Sequence, residues 1–259
     1  MAIRKCVVAV PARLQSSRLP NKVLADIGGK PMIQRVLERC REARTVESVV
    51  LCTDSAELQT QAEGWGFPVL MTAESCSSGS ERIASVAHSL MALAWGDVDP
   101  VAEETAVINV QGDQPFIDPG VIDSMVEEFR RQDPVPAVVT PVYGLKPDSV
   151  HNPNVVKTLL AHDGRALYFS RSAIPHVRDV AEADWHQHTT YWGHVGMYGF
   201  RGDVLAAWDQ LPASPLEDLE RLEQLRLIEA GLTIATFPVQ GTSLSVDTAE
   251  QLEQARAMV

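Results

Sequence analysis

A short apolar run that empties into a basic, hydroxyl-rich loop constrains this chain more than any other stretch. Cys6 to Val10 is the continuous hydrophobic run that a fully buried parallel strand requires. Pro11 is expected to end it, because proline cannot donate to a sheet ladder and fixes its own φ. Arg13, Ser16, Ser17, Arg18 and Lys22 follow, with Leu14, Leu19 and Pro20 as the only sizeable apolar side chains among them. Backbone N–H groups and hydroxyls can bond phosphate oxygens while arginine and lysine offset their charge, so the loop suits a polyphosphate. The plainer alternative is a solvated loop with incidental arginines. Its place after a first strand favours the phosphate reading, since open α/β sheets hold ligands at the carboxyl ends of their strands.

With 45% hydrophobic and 22% charged residues, the chain of 259 has the makings of an ordinary globular core. A net charge of −12 argues against nucleic acid or an anionic membrane as partner, so an anionic substrate must be held by local cations. Cys6, Cys40, Cys52 and Cys76 form no CxxC pair and no metal spacing, and read as free thiols in a reducing compartment. Neither a signal peptide nor a span of 18 apolar residues is found, which predicts a cytoplasmic protein.

Strands and helices alternate through the first half. Helices are predicted over GGKPMIQRVLERCREA (with Pro31 early in the helix), Ala56–Gly64 (capped by Asp54 or Ser55), Arg82–Trp95 and Pro119–Arg131. Strands are predicted at Val46–Thr53, Pro68–Met71 and Ala106–Val110. This order predicts an α/β fold with a doubly wound, mostly parallel sheet, and a smaller β-rich part after it. In that part Ala137–Tyr143 and Tyr191–Phe200 read as strands, and Asn152–Ser170 as a hairpin turning at His162-Asp163-Gly164. The hairpin is richer in apolar residues than a lone hairpin can bury, which fits a subunit interface or packing on the main sheet equally well.

Four further stretches carry chemistry. Asp113 in NVQGDQP follows an apolar strand, where a carboxylate can bind Mg2+ or, as the plainer reading, cap a helix. Asp247 in LSVDT also follows a short apolar run and precedes the helix Ala249–Met258, so two such aspartates could share one metal. Arg171 in FSRSAIP offers a planar fork for a carboxylate, though taken alone it reads as a surface ion-pair residue. The stretch from Ser214 to Gly231 is predicted as one helix with a capping box, burying Leu219, Leu222, Leu225 and Ile228. Its Glu220, Glu223 and Gln224 would then share a face able to bond sugar hydroxyls, or simply be solvated.

PARLQSSRLPNK, SSGSER, NVQGDQP, NPNVVK…ALYFSRSAIP, HVGMYGF, SPLEDLERLEQLR and SVDTAEQLE resemble, in order and over nearly the whole chain, the 3-deoxy-manno-octulosonate (Kdo) cytidylyltransferases. The chain departs from that pattern at Asn21, where glycine is commoner, at Ser17 and Ser80, where threonine is, and at Gln114, where glutamate is. GTSLSVDT is also one or two residues longer than the pattern.

The resemblance implies a cytoplasmic, homodimeric, Mg2+-dependent enzyme of lipopolysaccharide synthesis, a nucleotidyltransferase that makes CMP-Kdo and pyrophosphate from CTP and Kdo. It implies a single cytidylyltransferase domain with a nucleotide-binding part (1–135), a β-rich sugar-binding and dimer part (136–213) and a C-terminal part (214–259). Pro11, Ala12, Arg13, Arg18, Lys22, Ser78, Gly79 and Arg82 would meet the nucleotide, and Gln111, Arg171, His194, Tyr198, Glu223 and Gln224 the sugar. Arg13, Lys22, Asp113 and Asp247 would carry catalysis, the two aspartates holding the metal. His194 is a candidate base, while His186 and His188 read as loop residues. The alternatives are another acidic 2-keto sugar (8-amino-Kdo or sialic acid) or a non-catalytic nucleotide-binding module.

Overall fold

The computed structural model describes residues 2–16, 19–241 and 243–259. The chain forms two compact units, one of residues 1–135, 197–209 and 243–259, the other of residues 136–196 and 210–242.

The first unit is built on a sheet in which Val69–Met71, Ser48–Thr53, Lys5–Ala12 and Thr105–Asn109 run parallel, in that spatial order. Tyr198–Arg201 adds antiparallel to Thr105–Asn109. Helix Pro119–Arg131 shows why its residues choose a helix. Asp118 accepts from Gly120 N at 2.9 Å, Pro119 opens the first turn, and Arg130 and Arg131 sit at the negative end. Ile122, Met125, Val126 and Phe129 fall on one buried face. Helix Met32–Arg41 buries Met32, Ile33, Val36, Leu37 and Cys40 in the same way, and Ser55 caps Ala56–Gly64.

In the second unit Val138–Gly144 pairs parallel with Ile234–Pro238 and antiparallel with Trp192–His194. The hairpin Lys157–Leu160/Ala166–Ser170 continues from Trp192–His194 and turns where expected, with Gly164 N donating to Ala161 O at 3.0 Å.

Several boundaries differ from the sequence reading, each for a physical reason. Pro11 does not end the first strand, which runs to Ala12. Ala9 O accepts from Val110 N, so Ala9 and Pro11 both face Thr105–Asn109. That partner pairs only as far as Ala9, and the donor that Pro11 lacks is not needed. Pro31 precedes its helix, in the two-residue strand Lys30–Pro31. The helix expected from Arg82 is Gly79–Ala84 followed by Ala87–Trp95, broken where Ser85 Oγ bonds Arg82 O. Tyr191–Phe200 is two strands, parted at Val195–Met197, where the chain passes between units. Residues 244–248, where Asp247 was expected to follow a short apolar run, are irregular.

The helix from Ser214 is likewise two, Pro215–Glu220 and Gln224–Glu229, with Arg221 left-handed at φ 55° between them. Leu222 and Leu225 are buried, but Leu219 is 80% exposed. Glu220, Glu223 and Gln224 therefore do not share a helix face. The break frees the carbonyls of Glu220 and Arg221 for Arg171, and Arg226 folds the second helix back onto Glu217 at 2.7 Å.

Gly202 marks a close approach in the first unit. A Cβ there would lie 2.7 Å from the backbone oxygen of Ala102 and 2.5 Å from Met91 Sδ. Gly202→Ala is expected to cost about 1–3 kcal/mol through overpacking, read as a lowered denaturation midpoint with an unchanged m-value. An unchanged midpoint would show that the Ala102 turn yields freely.

Candidate active site

Counted along the chain, the parallel strands lie in the order third, second, first, fourth. The order reverses between Lys5–Ala12 and Thr105–Asn109, and doubly wound sheets bind ligands in the crevice beyond the carboxyl ends at such a reversal. The loops carrying Arg13 to Lys22 and Gln111 to Asp113 leave from those two ends.

There Lys22 Nζ donates to Asp113 Oδ2 at 2.8 Å and to Asp247 Oδ1 at 2.7 Å. Lys22 opens a 3-10 turn, Lys22–Leu24, entered through Asn21 at φ 54°. Asparagine tolerates this left-handed region better than most residues, which explains how it can stand where glycine is commoner. Beside Asp247, Val246 N donates to Asp113 O at 2.9 Å, which ties this segment to the Asp113 loop. Gln251 Oε1 accepts from Asp247 N and Thr248 N, completing the capping box of helix Ala249–Arg256. Burial alone lowers the Lys22 pKa, but the charge and hydrogen bond of Asp113, joined by Asp247, raise it on balance.

Two carboxylates that turn one oxygen each to a single cation offer the hard-oxygen ligand set that Mg2+ takes. Among the described residues no group of three or more His, Cys, Asp or Glu side chains is placed to hold a metal. A divalent ion here would rest on Asp113 and Asp247 plus substrate oxygens.

Arg13 is exposed and lines a groove of about 500 Å3 with Leu14, Gln15, Ser16, Pro20 and Asn21. Arg18, the third cation expected here, lies outside the described residues. Pro11, Gly79 and Gln111 come together beside the switch point. A Cβ on Gly79 would stand 3.2 Å from both Pro11 Cγ and Gln111 Oε1, a tight approach that a larger residue would have to relieve. Gln111 Nε2 donates to Asn109 Oδ1 at 3.1 Å, while the buried Asn109 Nδ2 has no hydrogen-bond partner. Ser78 caps the Gly79–Ala84 helix by accepting from Glu81 N at 3.1 Å. Arg82 is 3% exposed and bonds Thr72 Oγ1 and, at 2.7 Å, Asp54, so its guanidinium braces the ends of two strands. Tyr198 sits opposite Asn109 in the antiparallel register and packs on Phe200.

The other residues expected around a sugar belong to the second unit. Arg171 Nε donates to Glu220 O at 2.8 Å and Nη1 to Pro153 O at 3.2 Å. Glu223 is half-buried just ahead of helix Gln224–Glu229, and Gln224 is buried. His194 bonds Thr140 Oγ1 through Nε2 at 3.0 Å and meets the Phe169 ring edge-on. Burial pushes its pKa down to about 3, which makes it a weak base at neutral pH. The unfolded chain then takes up the proton near pH 6.5 while the folded one does not. His194→Gln is expected to flatten the loss of stability between pH 6.5 and 4, where this one group contributes up to about 1.4 kcal/mol per pH unit. Parallel wild-type and variant curves would refute the shift.

Sequence reasoning missed Lys157 and the tie between Glu220 and Arg171. Lys157 has no exposed surface, and a lone cation inside the apolar run NVVKTLL was the signal available.

A family model described as cytidylyltransferase matches residues 7–234. The 3-deoxy-manno-octulosonate cytidylyltransferase of Chloroherpeton thalassium is 40% identical over 257 residues, covering 98% of each chain. That of Myxococcus xanthus is 38% identical over 255 residues, covering 98% of this chain and 96% of the relative. Among solved structures, a CMP:2-keto-3-deoxy-manno-octonic acid synthetase complexed with CTP superposes with a TM-score of 0.88, at 38% identity and 98% coverage of both chains.

Proposed function

Because the chain belongs to the cytidylyltransferase family, on its 3-deoxy-manno-octulosonate branch, we infer that it transfers CMP from CTP to the anomeric hydroxyl of Kdo, releasing pyrophosphate. The observation that carries this reading is the meeting of Lys22, Asp113 and Asp247 beside the phosphate loop at the switch point of the sheet.

The sugar hydroxyl must attack the α-phosphorus in line, so the protein's work is positioning and charge stabilisation. Arg13 and Lys22 would hold the triphosphate and balance the charge that builds on the pyrophosphate. Asp113 and Asp247 would hold Mg2+, which when bound neutralises phosphate charge and polarises the attacking hydroxyl. Pro11, Ala12, Ser78 and Gly79 would border the nucleotide. Of the expected sugar residues, Gln111 and Tyr198 belong to the first unit; in the second, Glu223 and Gln224 would bond sugar hydroxyls and Arg171 would meet the sugar's carboxylate. His194 then serves by shape and hydrogen bonding, since its proton affinity is low.

A homodimer also belongs to this reading. It is supported by Leu167, 46% exposed on the hairpin strand Ala166–Ser170, and by the exposed Leu219. Sedimentation at micromolar concentration tests it. A cytoplasmic place of work in lipopolysaccharide synthesis belongs to the same reading; among the described residues no helix is long and apolar enough to cross a membrane.

The deciding assay is pyrophosphate release with each of four nucleoside triphosphates against Kdo, 8-amino-Kdo and sialic acid. CTP with Kdo should exceed CTP with sialic acid by on the order of 10³ in kcat/KM, since buried hydrogen-bonding groups reject analogues that leave them unpaired. Equal rates with Kdo and sialic acid would defeat the sugar assignment.

A further inference from the structure

Three charged side chains sew the end of strand Ala166–Ser170 to two other segments of its unit. Lys157 has no exposed surface, yet its ammonium donates to Asn152 O at 2.8 Å, to Val155 O at 2.7 Å and to Arg171 O. The Glu220 carboxylate accepts from Ser170 Oγ at 2.6 Å and from Arg171 N at 2.9 Å. Arg171 is thus gripped at both its backbone N–H and its carbonyl. Its side chain is fixed as well, by Glu220 O, by Pro153 O and, loosely at 3.4 Å, by Arg221 O.

A guanidinium has five N–H groups, and these three carbonyls occupy one on each nitrogen. One remains on each terminal nitrogen. The cluster of Lys157, Glu220 and Arg171 carries one positive charge in excess. Packing alone would be served as well by an aliphatic residue, because a buried charge is costly unless every one of its hydrogens is matched. Lys157 meets that condition only by collecting carbonyls from the segment around Asn152 and from Arg171 itself.

We propose that Lys157 and Glu220 are positioning residues that hold the Arg171 guanidinium ready for the carboxylate of the sugar acid, setting the affinity for the sugar without touching it. This rests on the sugar-acid reading of Arg171 given above. Fixing the side chain beforehand removes the ordering cost from the binding step, which is where affinity for a small anion is otherwise lost.

The test is steady-state kinetics with CTP and Kdo at saturating Mg2+, on wild type, Arg171→Ala, Lys157→Met, Glu220→Gln and the double variant Lys157→Met/Arg171→Ala. Arg171→Ala should raise the KM for Kdo about 10- to 100-fold, the scale of one charge-assisted contact. Lys157→Met and Glu220→Gln should each raise it roughly 10-fold while the KM for CTP stays within about twofold. Adding Lys157→Met to Arg171→Ala should change the KM for Kdo by less than about twofold, because the side chain being positioned is already gone. Should Lys157→Met fold poorly, Glu220→Gln carries the comparison, since glutamine keeps an acceptor for Ser170 or Arg171. A KM for Kdo unmoved by Arg171→Ala would overturn the sugar reading itself. A KM raised by Arg171→Ala but not by Lys157→Met or Glu220→Gln would overturn the positioning role alone. So would a parallel rise in both KM values, which signals general loosening.

Discussion

Turnover of Asp113→Asn and of Asp247→Asn is expected to fall at least ~100-fold, the scale on which one preorganised electrostatic contact acts. Each change is isosteric and removes one unit of negative charge from the point where both carboxylates meet Lys22. CTP affinity should fall much less than kcat, because Arg13 and the backbone of the phosphate loop remain. The two losses should also fail to add in the double variant, since both aspartates serve one site. Near-normal turnover of both single variants under limiting Mg2+ would sink the shared-site reading.

Lys22→Met is expected to remove a comparable amount of catalysis by a different route. The ammonium balances two carboxylates whose side chains are only 20% and 31% exposed, and its loss leaves them facing each other. On the proposed role of Lys22 a contact to phosphate would be lost as well, a charge-assisted bond worth roughly 1.5–3 kcal/mol. Both KM for CTP and kcat should therefore suffer, with a combined drop in kcat/KM of ~100-fold or more. The variant should also gain more thermal stability from Mg2+ than wild type does, since a cation that binds the folded state alone stabilises it by mass action. Equal Mg2+ shifts in the two proteins would count against that account. The pKa of Lys22 is raised in the folded state, so its stabilising effect is complete below about pH 10.4 and fades only as pH climbs past its folded value.

Much of the fold was legible because local and global demands agree along the chain. Helix Pro119–Arg131 begins and ends where its cap, its proline and its terminal arginines predict. The alternation of elements gave the parallel sheet, and the sheet gave the switch point. What stayed hidden is what distant contacts decide. Nothing near Arg221 in sequence demands a left-handed residue in the middle of SPLEDLERLEQLR. Its reason lies about 50 residues earlier, in Ser170 and Arg171, which claim the carboxylate and carbonyl of Glu220. Asp247 was expected after a short apolar run and lies instead in an irregular segment, tied in by the bond from Val246 to Asp113 and by Lys22 and Gln251. Lys157 reads in sequence as an interruption of an apolar run, and only the carbonyls around it show why a cation is tolerated there.

The bond between Lys22 and Asp247 spans 225 positions of the chain. Ribosomes deliver residues from the N-terminus at ~5–20 per second, so roughly 10–45 s separate the appearance of these two side chains. The growing polypeptide carries its first strand throughout that interval and gains Asp113, 91 positions after Lys22, well before the second carboxylate. On the roles proposed for Lys22, Asp113 and Asp247, a chain without the second carboxylate would engage CTP but not consume it. Chains arrested before Ser243 should retain nucleotide while releasing no pyrophosphate, and pyrophosphate from such chains would contradict this order. On the roles proposed above, chemistry would wait on the segment that carries Asp247.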